Sequence, residues 1–326
     1  MKEISLGIDL GKAVKAIKEK TARLVALQAP EGLKTRLAGM IKEIEEKTNA
    51  KVIAFIEPCF GACDLKDFEA KKLGADLLVH LGHSKFVKTE ALNTVYIPLT
   101  FEGVELKGLL PKLARELKEL NAGKVGLCST IQFIDYLNEL KKALEAKGFK
   151  VFIGKGDKRV SEGQVLGCNY SAVKGIEARI DAIVYLGDGL FHPLGLSFES
   201  GKPIIIMNPV SREVKKLEAG EKERFLRKRY GLIARARNAG VFGLLVSTKP
   251  GQQNLKNALM LKKLIEKKGK KAFILAGDLI KPEYVLGLKI DCFIDTACQR
   301  IALDDSMNFE KPLLSVKEAV ELIEML

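Results

Sequence analysis

Three five-residue stretches constrain the fold of this chain more than any other feature. Ala75-Asp76-Leu77-Leu78-Val79, Ile180-Asp181-Ala182-Ile183-Val184 and Ile290-Asp291-Cys292-Phe293-Ile294 each run apolar or small residue, aspartate, apolar segment. Around each of them the same succession recurs, which is the signature of an internal repeat. Each copy opens on a helical stretch (Lys12 to Arg23, Gly108 to Leu120, Glu213 to Asn238). An apolar strand follows: Leu24 to Gln28, Val125 to Cys128, Phe242 to Val246. Then comes a long helix, in LKTRLAGMIKEIEEK, FIDYLNELKKALEAKG and LKNALMLKKLIEKKG, with apolar residues at the three-and-four spacing of one buried face. Second strands (Lys51 to Ile56, Lys150 to Ile153, Lys271 to Leu275) precede the aspartate-bearing third strands, and fourth strands close each copy at Val95 to Pro98, Pro203 to Ile206 and Pro312 to Ser315.

Strands alternating with helices imply parallel sheets covered on both faces. The expected fold is α/β: three repeated small domains, each a four-stranded parallel sheet flanked by helices, arranged with pseudo-threefold symmetry. The boundaries fall at 1–104, 105–211 and 212–326. A chain of 326 residues that is 47% hydrophobic can bury cores of that size.

The first twenty residues carry charges among apolar residues at helical spacing, unlike a secretory signal. No apolar run reaches the roughly 18–20 residues that span a bilayer. A soluble cytoplasmic protein without membrane function is expected. The net charge of +13, from 54 Lys and Arg against 41 Asp and Glu, is spread among glutamates along helix faces. Such dispersion describes solvated helices rather than a phosphate-binding stripe, and aromatic content of 6% without tryptophan argues against single-strand recognition. Nucleic acid is therefore not the expected partner.

Six cysteines without a signal peptide point to packing, catalysis or metal rather than disulfides. In parallel α/β units chemistry gathers beyond the carboxyl ends of strands. Cys63, in Phe60-Gly61-Ala62-Cys63-Asp64, and Cys168, in Gly163 to Cys168, follow the second strands of copies one and two, each just before a helical stretch. Aligning the third strands sets Cys298 opposite His83 and Asp188, again past a strand end. Three thiolates around a common centre would bind an iron-sulfur cluster and leave one of four irons open to substrate. Cys128 and Cys292 lie inside strands and read as packing. Cys59 makes a Cys-x-x-x-Cys spacing with Cys63, which could be half of a local metal site, but no Cys-x-x-Cys lies nearby.

Several motifs in this order resemble the archaeal family that carries out the first step of diphthamide biosynthesis: Pro30-Glu31-Gly32-Leu33, Phe60 to Cys63, Gly82-His83-Ser84, Gly163 to Cys168, Gly187-Asp188-Gly189 with Phe191-His192-Pro193, Gly251-Gln252, and Ala297-Cys298 with Arg300. The resemblance runs nearly end to end. It implies a 4Fe-4S cluster on Cys63, Cys168 and Cys298, and a homodimer fed by an unidentified electron donor. It also implies cleavage of S-adenosylmethionine to a 3-amino-3-carboxypropyl radical, which is transferred to imidazole C2 of a histidine in translation elongation factor 2. Two positions depart from the family pattern: Gln299 stands where proline usually follows the third cysteine, and Cys59 is an additional thiol.

Gly251 and Gln252 precede a helix whose N–H groups suit the carboxylate of S-adenosylmethionine. Arg300 offers a guanidinium fork for the same group, against the plainer role of a surface pair. Asp188 and His83, at positions equivalent to Cys298, should face the cluster side and complete the expected substrate contacts. His80 and His192 read as structural. The competing readings are a quinolinate-synthase-like 4Fe-4S dehydratase, whose motifs are not seen, and a non-catalytic metal- or RNA-binding protein.

Overall fold

The computed structural model describes residues 4–88 and 91–326, and shows helices on both faces of three mainly parallel sheets. The first contains β1 (Ser5–Ile8), β2 (Leu24–Gln28), β3 (Lys51–Ala54), β4 (Leu77–Gly82) and β5 (Thr94–Glu102). The second contains β6 (Lys124–Ser129), β7 (Lys150–Ile153), β8 (Ala182–Leu186), β9 (Ile204–Asn208) and β10 (Glu213–Lys216). The third contains β11 (Val241–Ser247), β12 (Lys271–Gly277), β13 (Cys292–Asp295) and β14 (Leu313–Ser315). Two compact units result: Met1–Leu217 holds the first two sheets and Glu218–Leu326 the third.

The strand order is β1-β5-β4-β2-β3, then β10-β9-β8-β6-β7, then β12-β11-β13-β14. In each sheet the chain leaves a central strand, pairs its next strand on one side and then crosses to the other. That reversal leaves a crevice at the carboxyl ends of the two central strands, where open α/β sheets take ligands. Registers agree from sheet to sheet, since Ala26 faces Leu78, Gly126 faces Ile183 and Gly243 faces Phe293.

The repeated aspartate owes its place to the backbone. Asp76 accepts from the N–H groups of Arg23 and Leu24 at 2.8 and 2.9 Å, and Asp291 from those of Gly240 and Val241 at 2.9 Å. Asp181 accepts from Lys124 N–H at 2.7 Å. Each carboxylate thus ties the start of one central strand to the start of its neighbour. The two backbone donors hold the Asp76 carboxyl below its ordinary pKa.

Central strands are apolar throughout because both faces are covered. Val25, Ala26 and Leu27 are fully buried, as are Leu77, Leu78 and Val79. Helices cover them through stripes at the expected spacing: Met40 and Ile44 on Leu37–Lys47, Leu137, Leu140 and Leu144 on Leu137–Glu145, and Ala258, Leu261 and Ile265 on Leu255–Lys267. Their outer faces carry Lys–Glu pairs four residues apart, Lys42–Glu46, Lys141–Glu145 and Lys262–Glu266.

Three expectations need correction. The first two sheets have five strands, because β1 and β10 add antiparallel edges to β5 and β9. The helical stretch expected from Glu213 begins at Ala219, and residues 213–216 form β10 with only Val214 buried. Four residues are too few to distinguish a period of two from one of 3.6, so pairing with β9 decided the outcome. The helical spacing expected in the first twenty residues holds only for Leu10–Glu19; Ser5–Ile8 is a strand, and residues 1–3 lie outside the described residues. No helix among the described residues is long and apolar enough to cross a membrane.

Candidate metal centre

In the first sheet, Gln28 ends β2 at the crevice and organises what lies beyond it. Its buried Nε2 donates to the Asp64 carbonyl at 2.6 Å, while its Oε1 accepts from Lys66 N–H at 3.3 Å and meets His80 Nδ1 at 3.1 Å. Asp64 in turn accepts from Phe60 N–H on its carboxylate and closes a turn by donating to the Gly61 carbonyl at 3.0 Å. Cys63 rides on that turn, partly exposed. A Cβ on Gly61 would lie 3.3 Å from Cys63 Sγ, so glycine leaves the sulfur its room.

Cys168 is exposed at the tip of a tight turn in which Leu166 and Asn169 exchange backbone hydrogen bonds at 2.9 and 3.0 Å. A side chain on Gly167 would meet the Phe191 ring at 2.3 Å, so only glycine fits before this cysteine. Asn169 donates to Asp157, which is also gripped by Arg159. The Arg159 guanidinium is held above its ordinary pKa chiefly by Asp157, with a smaller contribution from Cys168. Buried Gln164 donates to Ser84 Oγ at 3.0 Å, joining the segment that leads to Cys168 to the one that carries His83.

Cys298 belongs to the second unit. It is partly exposed and stands immediately before the short helix Gln299–Leu303, past the end of β13. Its approach is anchored: Thr296 N–H and Oγ1 both donate to the Leu245 carbonyl, and Asn254 Nδ2 donates to the Thr296 carbonyl at 2.8 Å. Burial pushes the neighbouring Asp295 carboxyl up to about 7, against the backbone donors of Ala297, Ala302 and Cys298.

Gly251 and Gln252 lie between β11 and the helix Leu255–Lys267, with Gln252 buried. Beside them Lys249 is also buried, its ammonium 3.3 Å from Asp278. Arg300 is exposed and pairs with Asp304 at 2.9 Å, the surface arrangement its position allows. The Asp188 side chain is exposed while its carbonyl accepts from Tyr185 Oη at 3.3 Å, and His192 stacks on the Tyr185 ring. His83 is partly buried, its Nδ1 3.0 Å from His80 Nε2.

The other cysteines differ. Cys128 and Cys292 are wholly buried in β6 and β13, and burial pushes both thiols up, away from the thiolate a metal needs. Buried Cys59 lies against His80 and His83, with one ligand atom from each residue all within 4.8 Å of one another. Burial lowers the His80 pKa to about 3 and that of His83 to about 4, so both rings are neutral near pH 7. His80, expected as a structural residue, therefore joins Cys59 and His83 in one cluster. Gln28, Gln164 and Lys249 went unnoticed in the sequence. For Gln28 the signal was there, a lone polar residue closing the apolar run Leu24-Val25-Ala26-Leu27.

Comparison with known proteins gives these sites a context. A protein of Pyrococcus horikoshii named 2-(3-amino-3-carboxypropyl)histidine synthase is 37% identical over 320 residues, covering 97% of this chain and 90% of that protein. A Caenorhabditis elegans protein named as subunit 1 of the same synthase is 33% identical over 94% of this chain and 77% of its own length. The crystal structure described as Dph2 from Pyrococcus horikoshii with a 4Fe-4S cluster superposes with a TM-score of 0.91 at 35% identity, covering 99% of this chain and 92% of that one. The family described as "Putative diphthamide synthesis protein" matches residues 29–324. With nearly its whole length matched, this chain belongs to the diphthamide synthesis protein family.

Proposed function

We propose that this chain is a cytoplasmic 3-amino-3-carboxypropyl transferase, a 2-(3-amino-3-carboxypropyl)histidine synthase that works as a homodimer on a histidine of translation elongation factor 2. In this reading three α/β units, 1–104, 105–211 and 212–326, stand around a pseudo-threefold axis, the start of the third lending Glu213–Lys216 as an edge strand to the sheet of the second. Each contributes one thiolate, from Cys63, Cys168 and Cys298, to a 4Fe-4S cluster. One observation carries the reading: of six cysteines, these three alone keep solvent access, and each occupies a loop beyond the carboxyl end of a parallel strand. The donor set fits, since three thiolates satisfy three irons and leave the fourth for substrate.

When bound, such a cluster supplies the electron that breaks the sulfur–γ-carbon bond of S-adenosylmethionine, giving methylthioadenosine and a 3-amino-3-carboxypropyl radical for imidazole C2. The chain's own residues bind and orient. Gly251 lets a ligand approach the backbone, and buried Gln252 offers an amide to the amino-carboxypropyl end. Arg300, Asp188 and His83 complete the substrate contacts in this reading, with the electron arriving from an external donor. Anaerobic reconstitution of alanine variants, read by visible absorption and iron content, tests it. Cys63→Ala, Cys168→Ala and Cys298→Ala should each lose the stable cluster and methylthioadenosine release, while Cys128→Ala and Cys292→Ala keep both. A full cluster in any of the first three would overturn the assignment.

A further inference from the structure

Cys59, His80 and His83 are not used by the proposed chemistry as metal ligands, yet they gather one sulfur and two imidazoles within 4.8 Å. We propose that these residues form a mononuclear site for a borderline divalent cation of the zinc class, separate from the cluster cysteines.

The hydrogen-bonding order supports this assignment. Gln28 Nε2 faces the Asp64 carbonyl, which can only accept, so Gln28 Oε1 is turned toward His80 and Lys66 N–H. An amide oxygen cannot donate, hence His80 carries its proton on Nδ1 and holds a bare lone pair at Nε2. A ring nitrogen fixed by an acceptor on one side and presenting a lone pair on the other is the usual state of a metal-bound histidine. His80 Nε2 lies 3.0 Å from His83 Nδ1. Two nitrogens on one tetrahedral zinc, with bonds of about 2.0–2.1 Å, stand about 3.3 Å apart, so the pair opens by only a few tenths of an ångström. Without a cation, the proton of His83 Nδ1 fills that gap. With one, His83 carries its proton on Nε2 instead, and Cys59 binds as thiolate, releasing its own proton.

Donor chemistry selects the ion. One thiolate and two imidazoles suit zinc or cobalt and exclude calcium or magnesium, which take oxygen ligands. Cys59 and His80 are buried, whereas His83 is only partly so and provides the way in. Three protein ligands leave a fourth position for water or a small molecule, the pattern of an open site rather than a closed structural one.

Cobalt(II) added under anaerobic conditions to the full-length chain carrying Cys63→Ala, Cys168→Ala and Cys298→Ala, in which the proposed cluster thiolates cannot bind cobalt themselves, tests the proposal. This triple variant should take up one cobalt per chain with a thiolate-to-cobalt charge-transfer band, displaced by an equivalent of zinc. Adding Cys59→Ser should abolish the band and weaken binding at least tenfold, and adding His83→Gln instead, at a partly exposed position, should weaken it by a similar factor with the band retained. Survival of the band after Cys59→Ser, or no cobalt uptake by the folded triple variant, would each overturn the site.

Discussion

Arg159 grips Asp157 through Nε and Nη2 and, as the largest influence, holds its carboxyl at about 2. Through Asn169 that carboxylate anchors the turn bearing Cys168. Because the folded pKa lies below the unfolded value near 3.9, the stabilisation is complete above about pH 5 and is lost as pH falls toward 2. The Asp157 side chain is 37% exposed, so screening keeps the effect to a few tenths of a kcal/mol. Urea midpoints of wild type and Asp157→Asn should therefore differ at pH 6 and converge near pH 2; a constant difference across that range would refute the ion-pair origin. At this scale the sequence spoke through motif and position. Cys63, Cys168 and Cys298 stood out as cysteines in loops after strands, while Cys128 and Cys292 stood inside apolar runs that the structure buries. The cluster of Cys59, His80 and His83 was not legible, because it joins the loop after β3 to the end of β4, with Gln28 of β2 hydrogen-bonded to both segments.

Among the elements, the helix Ala219–Ala236 is fastened by one buried residue. Arg229 spends all five N–H donors: Nε and Nη2 on the two Glu318 oxygens, Nη1 on the Ala302 carbonyl and Ser306 Oγ, and Nη2 also on the Leu313 carbonyl. Glu318 also caps its own helix, accepting from Ser315 N–H at 2.7 Å. One guanidinium thereby links that helix to the segment after Cys298, to β14 and to the final helix. Arg229→Met should cost about 3–5 kcal/mol, since it strands a buried carboxylate, and adding Glu318→Gln should recover part of the loss. Denaturant unfolding of the two single variants and the double reads this directly, and simple additivity would contradict it. The aspartates behave as elements too. Asp291→Ala should speed amide exchange at Gly240 and Val241 while leaving the middle of β11 protected, as measured by hydrogen exchange. The aspartate pattern was visible in the sequence, but its purpose, joining two strand starts, required the registers.

For the molecule as a whole, two compact units with separate cores should unfold in two steps when the chain is free of metal. A cluster held by cysteines of both units would bind only their folded states, so reconstitution should merge the two transitions seen by circular dichroism into one at higher urea. Unmerged transitions in chains carrying four irons would count against ligands from both units. What the sequence determined by itself was local and periodic. Apolar runs placed the parallel strands, three-and-four spacing placed the covering helices, and the repeated aspartate marked where third strands begin, because each follows from burial along one segment. Tertiary structure decided what depends on partners. The edges β1 and β10 exist because β5 and β9 offer open backbone donors and acceptors, and no pattern of four residues encodes that opportunity. Likewise Cys59 became more than an extra thiol only because the end of β4 and the residue just past it set two neutral imidazoles beside it, a proximity that rests on sheet packing and not on spacing along the chain.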